Sequence, residues 1–206
     1  MTVNDVTIEK LRESDIHLTS VLLSESMGTN PNHISIFGSP HPAAQKKQRK
    51  MFEMVLEDPR NTTFIAKLNH EIVGSMTYTT SDFCQISKPK IIQSLPKFIN
   101  MFGRNLFSVL RWRANWATHD PAYKHVHFGP LAVHQSYQGK GIGKLLLTEF
   151  CHYLDDTGQV GYLETDKAEN VSLYEKFGFK VTETDQVLGV KNWFMVRNAK
   201  ITKHGF

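Results

Sequence analysis

One stretch of the chain decides its fold, and it reads HFGPLAVHQSYQGKGIGKLLLTEF from His127 to Phe150. An apolar, strand-like run ends in a polar turn, a glycine-rich loop spans Gln138–Gly143, and the pattern of an amphipathic helix begins directly after it. Glycines allow a ligand to approach the backbone closely, and a helix N-terminus adds unpaired N–H donors and the positive end of its dipole. The stretch therefore predicts a binding site for the oxygens of a di- or polyphosphate.

Spacing distinguishes the known kinds of phosphate-binding glycine loop. A Walker loop ends in Gly-Lys-Ser/Thr, but Leu145 stands at the position of the hydroxyl residue. A dinucleotide fingerprint, G-x-G-x-x-G, needs a glycine where Lys144 stands. What remains is Gln138-x-x-Gly141-x-Gly143, which resembles the coenzyme A pyrophosphate loop of the GNAT-type N-acetyltransferase superfamily, written Gln/Arg-x-x-Gly-x-Gly/Ala.

The flanks of the loop strengthen this resemblance, because six residues alone also fit an ordinary turn. Upstream, Gly129–Val133 resembles the bulged fourth strand of the family, and Pro130 indicates a bulge or edge because it cannot donate a ladder hydrogen bond. Downstream, Tyr162–Thr165 resembles the next strand, and Glu169–Phe179 resembles the family's second signature. Two signatures in the family's order are far more specific than either one.

The second signature also makes physical sense. Asn170 and Tyr174 are four positions apart, so they share one face of a helix. Gly178 stands where a helix end requires a left-handed residue. These residues support the identification of the chain as a GNAT-type member.

The resemblance implies an α+β fold, with a mixed, mostly antiparallel central sheet, splayed parallel central strands and flanking helices. The residues from Gly28 to Pro42 are predicted to form a loop, because they are rich in Asn, Pro, Gly and Ser. Apolar patterns predict strands at Val6–Leu11, Thr62–Lys67, Ile72–Thr79, Val126–Val133, Val160–Thr165, Phe179–Thr184 and Trp193–Arg197. They predict helices at Ile16–Met27, Ala43–Leu56, Ile142–Leu154 and Val171–Phe177.

Composition is that of an ordinary globular protein. The 206 residues favour a single domain over residues 1–206, long enough for a full hydrophobic core. The N-terminus is polar and no apolar run is long enough for a membrane span, so neither secretion nor a span is expected. Cys84 and Cys151 lack metal or redox spacing, which predicts reduced thiols in a cytoplasmic protein. The net charge of +4 does not indicate nucleic acid as a partner, and the sequence leaves a homodimer open.

The segment 88–118 lies where the family has a simple connection between its third and fourth strands. Its apolar residues recur at helical spacing on both sides of Gly103, which predicts a basic, apolar helical insertion. We expect the insertion to pack on the domain and to shape the acceptor pocket. The alternatives are packing alone, a lid over the acceptor site, or a surface for an anionic partner or a membrane. It contains no acidic residue and six basic ones, which are Lys88, Lys90, Lys97, Arg104, Arg111 and Arg113.

The resemblance implies direct transfer of an acetyl group from acetyl-CoA to an amine in a ternary complex. Backbone groups of Leu131 and Val133 are the family's partners for the pantetheine arm, and the N–H of Val133 or Ala132 would stabilise the oxyanion of the tetrahedral intermediate. The pyrophosphate would be bound by the loop residues Gln138, Gly139, Lys140, Gly141, Ile142, Gly143 and Lys144.

Two residues of the second signature match family positions next to the leaving thiol. A phenol has a pKa of about 10, so Tyr174 is protonated at neutral pH and can donate a proton to the thiolate. Its alternative role is simple packing. Asn170 matches a residue that contacts the cofactor or an ordered water, and Asn is also a good helix N-cap.

The base that deprotonates the attacking amine has no fixed residue type in the family. The candidates are Glu164, near the end of a predicted strand, and His127, on the bulged strand. Their alternative role is to orient water or to make structural hydrogen bonds. His125 shares the face of His127 by period two. Because no further ligand lies at plausible sequence spacing, we expect no metal at this pair.

The acceptor is predicted to be a small molecule with a primary amine. Asn192–Arg197 and Leu163–Asp166 show a loose likeness to puromycin-type acetyltransferases. A peptide or protein amine is the second choice, and a non-catalytic acyl-CoA sensor is the competing class, although a sensor would not need both Tyr174 and Asn170. Four aromatic residues are candidates to line an acceptor pocket: Phe83, Phe107, Trp112 and Trp116.

Overall fold

The computed structural model describes residues 5–85 and 88–200 of the chain. Its strands are β1 (Thr7–Lys10), β2 (Thr62–Leu68), β3 (Glu71–Thr80), β4 (Val126–Val133), β5 (Gly161–Thr165), β6 (Lys180–Val187) and β7 (Val190–Arg197). They form one seven-stranded sheet in the spatial order β1-β2-β3-β4-β5-β7-β6. Only the β4–β5 pair is parallel among the described strands, so the predicted mixed, mostly antiparallel sheet is confirmed.

Seven helices of the described residues flank this sheet. They are α1 (Ile16–Met27), α2 (Pro31–Phe37), α3 (Pro42–Glu57), α4 (Lys88–Phe102), α5 (Leu106–Thr118), α6 (Ile142–Thr157) and α7 (Ala168–Lys176). None of the helices in this part of the chain is long and apolar enough to cross a bilayer.

The two parallel strands separate at the centre of the sheet. Their pairing runs from Val126 opposite Gly161 to Phe128 opposite Leu163 and stops there, although both strands continue. On its other edge β4 pairs with β3, where the register shifts by one residue at Pro130. This shift is the bulge predicted at that proline. The sheet therefore contains a slot between the C-terminal halves of β4 and β5.

Helix α6 is fixed firmly against one face of the sheet. Its apolar residues recur at helical spacing, and Leu146, Leu147 and Phe150 are completely buried. The ring of Phe150 stacks on that of Phe128 in β4, with 4.4 Å between centroids. Burial of each such side chain contributes about 1.5–3 kcal/mol, so the N-terminus of α6 is held in a defined position beside the slot.

The predicted loop over residues 28–42 is wrong, because α2 forms within it. Pro31 stands at the start of the helix, where proline is tolerated, and Gly38 with φ of +83° follows its end. Ile36 and Phe37 are buried in a cluster with α5 residues, among them Trp112. Burial of these two side chains outweighs the loop-forming composition around them.

Helices α4 and α5 occupy the segment 88–118 and pack on α2 and α3. The buried side chains of Phe98, Phe102 and Val109 join the cluster that contains Ile36 and Phe37. Ile92, Ile99 and Phe107, by contrast, are exposed. The segment thus forms a helical layer beside the face of the sheet opposite to α6.

Candidate active site

The glycine loop lies at the N-terminus of α6, next to the slot. Gly139 and Gly141 have φ of +75° and +89°, a region that side chains rarely adopt, which explains the need for glycine at both positions. The first helical hydrogen bond runs from the N–H of Leu145 to the carbonyl of Gly141, at 3.0 Å. The N–H groups of Ile142, Gly143 and Lys144 therefore precede the helical hydrogen-bond ladder, and this arrangement suits an anion.

Two side chains of the loop brace its backbone. The amide of Gln138 donates to the carbonyl of Val133 at 3.0 Å, and the hydroxyl of Ser26 in α1 donates to the same oxygen at 3.1 Å. The ammonium of Lys140 donates to the carbonyl of Ser136 at 2.9 Å. Gln138 thus links the loop to the end of β4, a role that its match to the pyrophosphate motif does not reveal.

The β4 side of the slot is formed by Leu131, Ala132 and Val133. They pair with Met76, Ser75 and Gly74 of β3, respectively. Among the described strands, the opposite edge of β4 has no partner beyond Phe128, because β5 diverges there. An extended, amide-rich ligand can therefore lie along this edge, as the family resemblance implies for the pantetheine arm.

Tyr174 lies on α7, on the same side of the sheet as α6. It is 7% exposed, and its ring makes edge contacts with Phe128 and Phe179, at centroid distances of 6.4 and 6.1 Å. Burial, and to a smaller extent the negative charge of Asp166, raises the pKa of Tyr174 well above its ordinary value. Its hydroxyl is therefore protonated across the physiological range. Gly178 follows the helix end with φ of +88°, as predicted.

Asn170 does not cap α7. The N-cap position is occupied by Lys167, and the backbone N–H of Asn170 donates to the carbonyl of that residue at 3.1 Å. The side-chain amide of Asn170 lies 3.5 Å from the hydroxyl of Thr165 at the end of β5. The capping alternative is therefore wrong, and the side chain instead faces the end of the strand that borders the slot.

His127 and Glu164 form a partly buried pair on the opposite face of the sheet. Side chains alternate along a strand, so His127 points away from α6 when its neighbour Phe128 points toward it. Nε2 of His127 donates to Oε2 of Glu164 at 2.8 Å, and the Glu164 side chain is 2% exposed. The structure thus joins the two candidate bases in one hydrogen-bonded unit across β4 and β5.

Two residues that the sequence did not single out extend this unit. Oδ1 of Asp120 lies 3.6 Å from Nδ1 of His127 and 3.2 Å from Nε2 of His125. Sγ of Cys84 lies 3.0 Å from Oδ2 of Asp120 and 4.0 Å from Nε2 of His125. Cys84 and Asp120 lie on either side of the inserted helices in the chain, so only the fold brings them to the histidine pair.

Contacts between the acids and the histidines of this cluster shift the pKa values of both. Burial favours the neutral carboxyl of Asp120, but its contacts with His125 and His127 hold its pKa far below the ordinary value. Burial acts to lower the pKa of His125, yet contacts with Asp120 and Cys84 raise it to about 9. Burial also opposes the charge on His127, but the carboxylates of Glu164 and Asp120 hold its pKa well above the ordinary value.

The four candidate aromatic residues do not form one pocket. Trp112 and Trp116 contact each other at a centroid distance of 4.7 Å, whereas Phe83 and Phe107 are exposed. Nε1 of Trp116 donates to Oδ1 of the buried Asn192 at 3.1 Å, so α5 is anchored to β7. The tryptophans therefore serve mainly as links between the inserted helices and the sheet.

The part of the chain that holds these features matches a family of known proteins. A family model described as the acetyltransferase (GNAT) family matches residues 30–179. This range includes the glycine loop, both strands of the slot and the second signature.

Several solved structures share the fold. The histone acetyltransferase HPA2 and related acetyltransferase of Corynebacterium glutamicum has 18% sequence identity and a TM-score of 0.73, covering 97% of this chain and 99% of its own. An agmatine N-acetyltransferase in its apo form has 13% identity and a TM-score of 0.68, with 94% and 99% covered. A PaiA N-acetyltransferase from Thermoplasma acidophilum in complex with coenzyme A has 16% identity and a TM-score of 0.59, with 94% and 98% covered.

Proposed function

Because the chain belongs to the GNAT acetyltransferase family, we propose that it transfers an acetyl group from acetyl-CoA to the primary amine of a small molecule. The observation that carries this proposal is the slot between β4 and β5, which has a helix N-terminus suited to an anion at one end and candidate proton-transfer groups on both faces. Direct attack of the amine on the thioester needs one group to accept a proton and another to donate one, and these candidates would supply both.

The glycine loop would bind the pyrophosphate of acetyl-CoA. The N–H groups of Ile142, Gly143 and Lys144 supply donors at the positive end of α6. The edge of β4 from Leu131 to Val133 would pair with the pantetheine amides, which leads the thioester into the slot. A backbone N–H of Ala132 or Val133 then stabilises the oxyanion, a contribution of about 100-fold or more in rate.

The two proton transfers would occur on opposite faces of the sheet. Glu164, held in place by its hydrogen bond from His127, lies on the face away from α6 and accepts the proton of the attacking amine, directly or through a water molecule. Tyr174 lies on the α7 side, keeps its proton at neutral pH and donates it to the departing thiolate. This separation allows one group to remove a proton while the other delivers one.

The charges near the slot support a cationic acceptor. The carboxylate of Glu164 lies on the proposed acceptor face, so it would attract an ammonium group before that group is deprotonated. The inserted helices α4 and α5 pack on α2 and α3 beside the same face of the sheet, and we expect them to limit the size of the acceptor. Both observations favour a small amine over an extended protein segment.

Thiol release from acetyl-CoA, measured across amino acids, polyamines, aminonucleosides and short peptides, tests this function. We expect rapid release with at least one small cationic amine and slow release with peptides. Gly141→Val is the control for the cofactor site, because a β-branched residue rarely adopts φ of +89°. Release that persists unchanged in this variant would reject the loop as the cofactor site, and preference for peptides would reject the acceptor class.

A further inference from the structure

Four side chains with metal-binding atoms converge beneath the inserted helices. They are Sγ of Cys84, a carboxylate oxygen of Asp120 and one ring nitrogen each of His125 and His127, and all four atoms lie within 4.8 Å of one another. We propose that this cluster binds one zinc ion. The expectation of no metal rested on sequence spacing, and the fold supplies the two ligands that spacing did not reveal.

The distances suit a tetrahedral ion. Zinc bonds of 2.0–2.3 Å place tetrahedral ligands about 3.3–3.8 Å apart. Oδ1 of Asp120 lies 3.2 Å from Nε2 of His125 and 3.6 Å from Nδ1 of His127, and Sγ of Cys84 lies 4.0 Å from Nε2 of His125. Only small side-chain adjustments are needed to receive the ion.

The outer contacts of both histidines already orient them as ligands. Nδ1 of His125 donates to the carbonyl of Tyr123 at 2.9 Å, which leaves Nε2 directed at the cluster. Nε2 of His127 donates to Glu164 at 2.8 Å, which leaves Nδ1 directed at the cluster. A carbonyl or carboxylate behind each imidazole is the usual arrangement of histidine ligands in metal sites.

An ion would also give a partner to buried polar atoms inside the cluster. Among residues 5–85 and 88–200, Nδ1 of His127 is buried without a hydrogen-bond partner, and the buried Oδ1 of Asp120 faces the ring nitrogens of His125 and His127. A buried polar atom without a partner costs about 1–3 kcal/mol, and an ion between these atoms would satisfy both. One thiolate and one carboxylate together balance the charge of a divalent cation.

The chemistry of the ligands favours zinc. A thiolate with two imidazoles binds zinc well, whereas calcium and magnesium require oxygen ligands. Four protein ligands fill the tetrahedral shell, which is typical of a structural site. Cys84 releases its proton when it binds the ion, since the thiolate is the ligand.

The position of the site indicates a structural role for the ion. Cys84 follows β3 and Asp120 follows α5, so the ion would close the chain segment that contains α4 and α5 onto β4. Through the contact of His127 with Glu164, it would also fix the orientation of the proposed base. In this role His127 is a positioning residue.

Metal content and cobalt substitution test the site independently of acetyl transfer. We expect the purified chain to retain about one equivalent of zinc, and the metal-free protein to take up cobalt(II) with an absorption band from thiolate charge transfer. In Cys84→Ser the zinc affinity should fall by more than the 10–100-fold typical of outer-contact mutations. The matched control is Cys151→Ser, which changes the other buried cysteine, on α6, and should retain zinc and the cobalt band.

Three results would overturn the proposal. They are a wild-type cobalt spectrum without a thiolate band, an unchanged zinc affinity in Cys84→Ser, and equal losses in both cysteine variants. The cobalt titration uses only the wild-type chain, so it remains decisive if a variant fails to fold. Because none of these readouts involves acetyl-CoA, failure of the zinc site and failure of the proposed transferase activity are distinguishable.

Discussion

Gly74 in β3 provides a test of how the sheet positions the cofactor loop. A Cβ atom at this position would lie 3.1 Å from Cγ2 of Ile142, 3.1 Å from Cδ1 of Leu146 and 3.3 Å from the carbonyl oxygen of Ala132. Ile142 and Leu146 belong to the first turns of α6 and are fully buried. In Gly74→Ala these neighbours must give by a few tenths of an ångström, and because both side chains are buried, we expect the N-terminal end of α6 to move away from the sheet.

The expected cost has two parts. Overpacking of a well-packed core reduces the free energy of unfolding by about 1–3 kcal/mol. The same displacement moves the N–H donors of the loop, and a hydrogen bond to a charged group contributes about 1.5–3 kcal/mol. Partial loss of one such bond, about 1.4 kcal/mol, weakens acetyl-CoA binding about tenfold. Urea unfolding and calorimetric titration with acetyl-CoA measure the two quantities.

Gly161→Ala is the matched control at the other end of the same helix. Its Cβ would lie 2.5 Å from Cδ1 of Leu154 in the last turns of α6 and 3.3 Å from the ring of Phe179. We expect a similar loss of stability, about 1–3 kcal/mol, but no loss of acetyl-CoA affinity in the folded protein. Equal affinities in the two variants would refute the reasoning that links the first turn of α6 to the cofactor.

Three further perturbations give distinct expected results. Tyr174→Phe keeps the ring contacts and removes the proton donor, so turnover should fall about 100-fold or more while acetyl-CoA affinity stays unchanged in titration; equal losses of both would assign a binding role. His119 lies between Glu183 at 2.6 Å and Asp185 at 3.0 Å. Burial lowers the pKa of His119, but the two carboxylates outweigh it and raise the pKa above the ordinary value. The stabilisation is therefore complete below about pH 6.5 and is lost as the pH rises through the raised pKa, so the difference in melting temperature between wild type and His119→Gln should shrink with rising pH; a constant difference would contradict this. Arg197 is buried and donates to both oxygens of Asp155, so Arg197→Met should reduce the free energy of unfolding by about 1.5–3 kcal/mol in urea titrations, and an unchanged midpoint would exclude this contribution.

Local signals in the sequence were sufficient to predict the slot between β4 and β5 and the glycine loop beside it. Pro130 marks the bulge of β4, Gly141 belongs to the glycine loop before α6, and Gly178 marks the left-handed residue at the end of α7. Each of these positions has a backbone requirement that few residue types meet. A single residue type is therefore enough to predict the local backbone feature. The parallel pairing of β4 with β5 followed from the family resemblance and is confirmed.

Features that depend on packing between residues far apart in the chain could not be predicted from local sequence signals. Helix α2 forms because Ile36 and Phe37 find partners on the inserted helices, which the local composition does not show. Likewise, Cys84 and Asp120 lie 36 positions apart in the chain, and only the course of α4 and α5 brings them together. The hydrogen bond between His127 and Glu164 joins two neighbouring strands, so it too depends on strand order.

A single-turnover experiment tests direct acetyl transfer most sharply. Enzyme in excess is mixed with acetyl-CoA and the best amine from the panel, and intact masses of the protein and the small molecules are followed together. The account predicts that free coenzyme A and the N-acetylated amine appear at equal rates while the mass of the protein stays unchanged. Acetylation of the protein before product appears, or free coenzyme A without an acetylated amine, would contradict it.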